Sequence, residues 1–493
     1  MGIVLKQSIK NTVTIYAAFA IGGINALFLY TSFLEDTYYG LVTFLLSTAN
    51  LLMPLVAFGV QYTILKFYSS YISELERDRF LSIALVLPLL VAIPIGFIAV
   101  LFYDGISAYL SLKNPVVKDY ISVIYLVAVA TAYFEVFYAW SRVQMKSVYG
   151  NLLKELFSRV SAMLLLFCVY FKWISVEDFI WYLTASYFIR MLLMAGYALY
   201  LYRPKFSLQL PENIGEILKY SLYIILAGAA GTILLDIDKF MIPQKEAIAL
   251  TAYYSVAVYI GSVVETPGRA MSQILQPLIA KALNANELKQ VAGLYKKSSI
   301  NLLAISGLVF LLINLNITEI YQLMPEKFRG GALIVLFISL AKLYHMMLGG
   351  NGAIISNSKY YKVLLPYGIA MAISVILLNN YLIDLLSIEG AALATLIVVL
   401  VFNSMKLFYV KRKFDLVPFT SKTGVLLLLL IIFYSLFFFW DFNFHPVVNI
   451  IFKGILISLF YLFLIYKLQV SAEINAVINK LLNKYFSYRD FEL

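Results

Sequence analysis

Six basic side chains stand inside stretches that are otherwise apolar: Arg159, Arg190, Arg269, Lys342, Lys406 and Lys453. A charge at bilayer depth costs about 3 kcal/mol on insertion scales, and such residues usually face a cavity or a partner. Arg190 and Lys342 fall near the middle of their stretches and Arg269 lies deep in its own, so these three are the expected donors of a cationic cavity. Several positive donors in one place suit a diphosphate, and arginine offers it a planar fork. Deep carboxylates are fewer. Glu135, Asp236 and Glu265 are the candidates for proton or sodium coupling, whereas Asp238 and Lys239 read as interfacial. His345 shares a helical face with Lys342, and it joins Lys453 as a secondary candidate.

Each of these residues also has a structural reading. Arg159 and Lys406 are within reach of the cytoplasmic interface, so snorkelling accounts for them. Lys453 either anchors its helix or faces a neighbour. Arg269 follows Glu265 by four residues, so an internal ion pair would occupy both. Glu135 has the alternative of pairing with a basic residue such as Arg190. A histidine such as His345 more often packs and hydrogen-bonds than carries protons. The aromatic content of 16% fits Tyr and Trp belts at both interfaces, and stacking on sugars is equally compatible with it. The run Gly390-Ala391-Ala392 and the cluster Gly349, Gly350, Gly352 permit close helix packing.

The elements that hold these residues follow from hydropathy. A spanning helix needs about 20 mostly apolar residues. Fourteen such stretches are expected, at 12–34, 39–60, 80–103, 119–141, 152–173, 178–201, 219–243, 249–276, 298–316, 330–350, 360–382, 388–410, 423–440 and 446–467. The 493 residues are 62% hydrophobic and 13% charged, against about 25% charged in soluble domains. Backbone groups in lipid must be satisfied within the element, so spans of this length mean helices. The short alternating segments of a β-barrel are not seen. The fold class is an all-α membrane protein.

Charge placement tests the count. With the N-terminus in the cytoplasm, the outer loops hold only Lys113, Lys118, Lys172, Lys239, Lys245, Lys327 and Arg329. The inner segments collect far more, from Lys6 and Lys10 through Lys296-Lys297 and Lys411-Arg412-Lys413 to Lys484 and Arg489. The positive-inside rule expects that bias, and both termini are placed in the cytoplasm. The net charge of +11 therefore needs no nucleic-acid partner, and inner loops of this kind meet anionic lipid headgroups. Lys6 and Lys10 precede an apolar run too long for a cleavable signal, so the first helix is expected to be an uncleaved anchor.

Several function classes fall away. Cys168 is the single cysteine, so intrachain disulfides are excluded. No Gly-rich phosphate loop, HExxH or Cys/His metal spacing occurs. The two histidines, His345 and His445, lack sequence neighbours for hydrolase chemistry. No extramembrane segment is long enough for a soluble domain, and the longest outer loop runs plainly from Asp104 to Asp119. An enzyme such as a membrane polysaccharide polymerase would need catalytic residues there.

The chain divides as 1–206, 207–420 and 421–493, that is six spans, six spans and two. Halves of similar size suggest duplicated lobes related by an axis along the membrane normal. Tyr38-Tyr39 with Pro54 in the second span matches Tyr253-Tyr254 with Pro267 in the eighth. Prolines inside spans point to moving or cavity-lining elements.

On these residues the sequence resembles the multidrug/oligosaccharidyl-lipid/polysaccharide exporter superfamily, in its polysaccharide flippase branch. The run from Leu234 to Pro277, with Asp236, Asp238 and Tyr253-Tyr254, resembles that branch's entry into its second lobe. NGAIISNSKYYKV from Asn351 and IEGAALATL from Ile388 resemble the approach to its eleventh and twelfth helices, and the charged start with Tyr39-Gly40 matches more loosely. The resemblance implies a flippase in the bacterial cytoplasmic membrane. It would move an undecaprenyl-diphosphate-linked oligosaccharide outward for capsule, O-antigen or exopolysaccharide assembly, alongside polysaccharide-assembly proteins.

The expectation is a secondary transporter, not an enzyme: two six-helix lobes around a central cavity plus two accessory C-terminal helices. Arg190, Arg269 and Lys342 would hold the diphosphate, and Glu135 would couple to Na+ or H+, with no cofactor or bound metal. Two rivals share the superfamily. A drug/cation antiporter would want an acidic cavity. A lipid II flippase shares a basic one but would be expected to carry arginine in its first span, and 12–34 has none.

Overall fold

The computed structural model describes residues 2–207, 209–440 and 444–487. Arg489 lies outside them, as do the side chains of Lys6 and Lys484. Every described regular element is helical. Among the described residues, ten helices are long and apolar enough to cross a membrane: Lys10–Phe33, Asp36–Val56, Glu74–Leu101, Pro115–Val143, Val176–Leu201, Ile214–Lys245, Leu288–Asn314, Tyr361–Phe414, Ser421–Phe438 and Pro446–Lys467. A shorter apolar helix is Ala332–Met347. The all-α, multi-pass membrane class holds. Fourteen uninterrupted spanning helices do not appear among the described residues.

The difference has local causes. Tyr361–Phe414 runs for 54 residues, and Ser387 leaves helical geometry at φ 51, ψ −133, at the boundary expected between the stretches 360–382 and 388–410. Gly390 permits the close turn there, since a Cβ would sit 2.0 Å from the Leu382 carbonyl oxygen. The fifth stretch is split into Val148–Leu152, a π-helical turn Leu153–Phe157, and Ser158–Tyr170. The eighth is split into Ala249–Ser262, a tight turn Val263–Glu265, and Thr266–Asn284. Pro267 stands in the first turn of that last piece, where its missing N–H costs nothing and its ring prevents continuation from the preceding turn. Near Pro54, Asp36–Val56 ends and the chain turns through Phe58 (φ 48) and Gly59 (φ 66) into Val60–Phe67.

Two compact units divide the chain: Met1–Val256 with Leu365–Ala391, and Ala257–Leu364 with Ala392–Leu493. They are units of contact, whereas the expected lobes are units of repetition. In the first, Ile121–Val143 packs on Asp36–Val56 and Val176–Leu201 around fully buried Phe44, Phe134, Trp140 and Phe179. Asn114 pins the turn after Ile214–Lys245. Its Nδ2 donates to the carbonyls of Pro243 (2.7 Å) and Glu246 (2.9 Å), and its Oδ1 accepts from Ile248 N (2.8 Å). Gly40 lets that turn come close, for a Cβ would lie 2.0 Å from the Ile248 carbonyl oxygen.

In the second unit, Leu288–Asn314 is the central helix. Thr266–Asn284, Ala332–Met347, Ser421–Phe438 and Pro446–Lys467 pack against it. Tyr461, fully buried, donates its hydroxyl to the Ala304 carbonyl at 3.0 Å. That bond fixes the last spanning helix while satisfying a polar group that lipid would not.

Candidate functional site

Val176–Leu201 carries Arg190, and its start is fixed by a reciprocal cap. Ser175 Oγ accepts from Asp178 N at 3.0 Å, and an Asp178 carboxylate oxygen accepts from Ser175 N at 3.4 Å. The helix packs on Ile121–Val143, which supplies Thr131 and Phe134. Arg190 Nη1 donates to Ser158 Oγ at 2.8 Å, and Nη2 to Thr131 Oγ1 at 3.4 Å. The guanidinium lies 4.5 Å from the Phe134 ring centroid and 4.6 Å from that of Tyr187, cation–π distances that stabilise a desolvated charge. Arg190 is 6% exposed and its Nε has no hydrogen-bond partner. Among the described residues it forms no ion pair with a carboxylate.

Glu135 faces the same region of the first unit but binds another cation. Lys154 Nζ lies 2.6 Å from its Oε1. Lys154 belongs to the π-helical turn Leu153–Phe157, and one residue on, Glu155 pairs with Arg159 at 3.2 Å. The Arg159 carbonyl accepts from Asn25 Nδ2 at 2.7 Å, and Asn25 opens the other π-helical turn, Asn25–Leu29. The alternative pairing of Glu135 with Arg190 thus gives way to Lys154, which the sequence placed among the inner-segment charges. Depth was the usable signal. Glu135 stands eight residues before the end of Ile121–Val143, and Lys154 six after the start of Val148–Leu152.

A second cluster forms in the other unit. Lys342 Nζ lies 2.5 Å from Glu265 Oε2, and both side chains are 22% exposed. Glu265 closes the tight turn before Pro267 and Lys342 comes from Ala332–Met347. Because the helix restarts at Thr266–Asn284, Glu265 and Arg269 do not share one continuous helix. Arg269 and His345 nevertheless act electrostatically on the Glu265 carboxylate. His345 is hydrogen-bonded to Asn403 and feels Lys406. One carboxylate therefore stands among the cations Lys342 and Arg269, with Lys406 beyond His345. Lys406 is half-buried beside this group.

Asp236 is buried at 8% exposure. Lys239 Nζ and Asn50 Nδ2 each donate to it at 3.3 Å. Asp238, which the sequence reads as interfacial, is enclosed by protein. It is 4% exposed and accepts from Asn379 Nδ2 at 2.6 Å and from the Tyr254 hydroxyl. Tyr253 donates to Asp36 at 2.6 Å. The tyrosine pair thus serves two carboxylates of the first unit. Lys453, 4% exposed, faces Glu319 in the second unit rather than lying at an interface.

Of the residues singled out in the sequence, Glu265, Arg269, Lys342 and His345 are brought together in the second unit. Arg190 and Glu135 belong to the first, on either side of the Leu153–Phe157 turn and its neighbour Ser158. Asp236 is held with Lys239, and Lys453 stands apart with Glu319.

The family described as polysaccharide biosynthesis protein matches residues 5–266, just over half of the chain. No curated protein matches the sequence. Solved structures share the fold. The lipid II flippase MurJ in an inward closed conformation is 15% identical with a TM-score of 0.69, and the match covers 94% of this chain and 100% of that one. An inward-facing multidrug resistance MATE family transporter of the MOP superfamily is 13% identical, TM-score 0.56, covering 84% and 95%. A MOP superfamily transporter from Pyrococcus furiosus is 13% identical, TM-score 0.54, with the same coverage of 84% and 95%. At such identities the likeness is one of fold, that of multi-pass helical transporters. The family match, which spans more than half of the chain, places it in the polysaccharide biosynthesis protein family.

Proposed function

We propose that this protein is a secondary transporter that flips an undecaprenyl-diphosphate-linked oligosaccharide across the bacterial cytoplasmic membrane by alternating access, for capsule, O-antigen or exopolysaccharide assembly. The observation that carries the reading is Arg190, a buried guanidinium held by hydroxyls and ring faces with no carboxylate ion pair among the described residues. It lies within the span matched by the polysaccharide biosynthesis family. The Glu265 cluster adds a second region with cations in excess. A drug/cation antiporter would gain nothing from positive charge at these depths.

Fourteen crossings are consistent with the helices if the 54-residue helix counts as two at Ser387, and if Ala332–Met347 and the interrupted stretches 148–170 and 249–284 also cross. Both termini then lie in the cytoplasm, as six-plus-six-plus-two requires. Arg190 in the first unit and, separately, Arg269 and Lys342 in the second are the candidate ligands of the headgroup phosphates. To reach Lys342 they compete with Glu265, so the ion pair is an exchangeable one. Glu135, Asp236 and Glu265 are the coupling candidates, each already next to a cation that a proton or Na+ would have to displace. Bilayer lipids and polysaccharide-assembly proteins are the partners.

A lipid II flippase is the second reading. It is favoured by the match that extends over 94% of this chain, and it uses the same diphosphate chemistry. Binding to purified protein tests the class. Undecaprenyl diphosphate should raise the melting temperature, and undecaprenol and an organic cation should not. Stabilisation by the cation alone would favour the antiporter.

A further inference from the structure

In the second unit, away from the Glu265 cluster, a cavity of about 300 Å³ opens where the short helix Ile317–Gln322 meets Pro446–Lys467. Its floor is made by Asn314, Glu319, Asn449 and Lys453, all buried. Its mouth carries exposed Thr318 and Gln322 and the rings of Phe438, Trp440 and Phe444. Lys453 Nζ and Glu319 Oε1 stand 3.8 Å apart, with side chains 5% and 8% exposed. That is beyond hydrogen-bond length. The ammonium with its three donors and the carboxylate thus face one cavity without a close bond to each other, which leaves their hydrogen-bonding capacity to whatever fills it.

What would satisfy them must donate and accept at neighbouring positions, be small enough for the cavity, and offer an apolar face to the rings. An inorganic anion would meet the carboxylate, and a metal cation would meet the ammonium. Adjacent hydroxyls on a hexose ring meet both, and the C–H face of the ring lies well on an aromatic side chain. We infer that this cavity is a saccharide-binding pocket, taking one hexose ring with vicinal hydroxyls between Glu319 and Lys453 and the ring face against the aromatic mouth. It is independent of the diphosphate residues and does not require the transport reading. The hexose comes either from a free or polymeric glycan or from a glycosylated lipid headgroup.

The test uses the full chain in nanodiscs, probed by saturation-transfer NMR with the methyl glycosides of glucose, galactose and mannose, and with N-acetylglucosamine. At least one should receive saturation on its ring protons. Gln322→Ala and Trp440→Ala at the exposed mouth should weaken that binding by roughly tenfold, the scale of a lost hydrogen bond or ring contact. Glu319→Gln alone leaves a buried ammonium, so the Glu319→Gln/Lys453→Met double variant is measured beside it, with circular dichroism as the fold control. It too should lose binding while staying folded. Nanodiscs with and without a monoglycosyl diacylglycerol separate the sources. Competition by that lipid against the free glycoside assigns the headgroup, and no competition assigns the glycan. If no glycoside binds, or if binding survives both the mouth variants and the double variant, the inference is overturned. Loss of export in Arg190 variants bears on the transport reading alone.

Discussion

Lys342 and Glu265 meet at 2.5 Å from two different helices, at the point where Pro267 forces the chain to start a new helix. Their contact leaves one basic residue of the cluster neutralised and the surrounding cations in excess. If the headgroup displaces Glu265, then Glu265→Gln should tighten binding of undecaprenyl diphosphate a few-fold, about 1 kcal/mol for a partly exposed pair. Lys342→Gln should weaken it. Isothermal titration of both variants measures this, and weaker binding in Glu265→Gln would show that the pair is structural.

Arg190 separates charge from shape. Its two donors reach Ser158 and Thr131, and its plane lies near two rings. Arg190→Lys keeps the charge and loses the fork. Partial export is expected if the role is electrostatic, and none if bidentate contact is needed. Arg190→Gln should abolish export with folded protein still in the membrane. Normal export in Arg190→Gln would remove this residue from the site.

The last two spanning helices bury Leu426, Phe433, Phe437, Ile457, Tyr461 and Ile465 in the second unit. Truncation after residue 420 should uncover several of their partners, each worth about 2 kcal/mol. Melting temperature and handling of the lipid tail should suffer more than headgroup affinity. A truncated protein that melts normally yet loses headgroup binding by more than about tenfold would place those helices in recognition instead.

Topology is testable once Cys168 is removed. Lys245 Nζ lies 2.6 Å from an Asp384 carboxylate oxygen and 2.5 Å from the Asn380 carbonyl, so cysteines near 245 and 384 should label from one side. That side is expected to be outside, with residues near 288 and 418 inside. Labelling of 245 only from the cytoplasm would break the fourteen-span scheme.

Legibility from sequence followed the range of the interaction. Hydropathy is a local property, so the apolar stretches and the kinks near Pro54 and Pro267 could be read directly. Helix continuity was harder. The break at Ser387 falls between the expected stretches 360–382 and 388–410, but the π-helical turn Leu153–Phe157 carries no proline and no sequence signal announced it. Partner choice was hardest. Spacing suggested Glu265 with Arg269, but Lys342 comes from another helix 77 positions away. Nothing in the spacing pointed to Lys154 as the partner of Glu135, because the pair joins two separate helical stretches. Asp238 read as interfacial, and nothing in the sequence announced its partners Asn379 and Tyr254.

The central claim is outward movement of a diphosphate-linked glycolipid, and reconstituted transport measures it directly. Proteoliposomes holding the protein and a fluorescent undecaprenyl-diphosphate oligosaccharide, with an impermeant quencher outside, report the rate of crossing. The protein should accelerate crossing over empty liposomes, Arg190→Gln should return it to the empty-liposome rate, and lipid II should cross more slowly than the oligosaccharide. Faster crossing of lipid II would favour the second reading. No acceleration of either lipid, with transport of an organic cation by the same vesicles, would contradict the account.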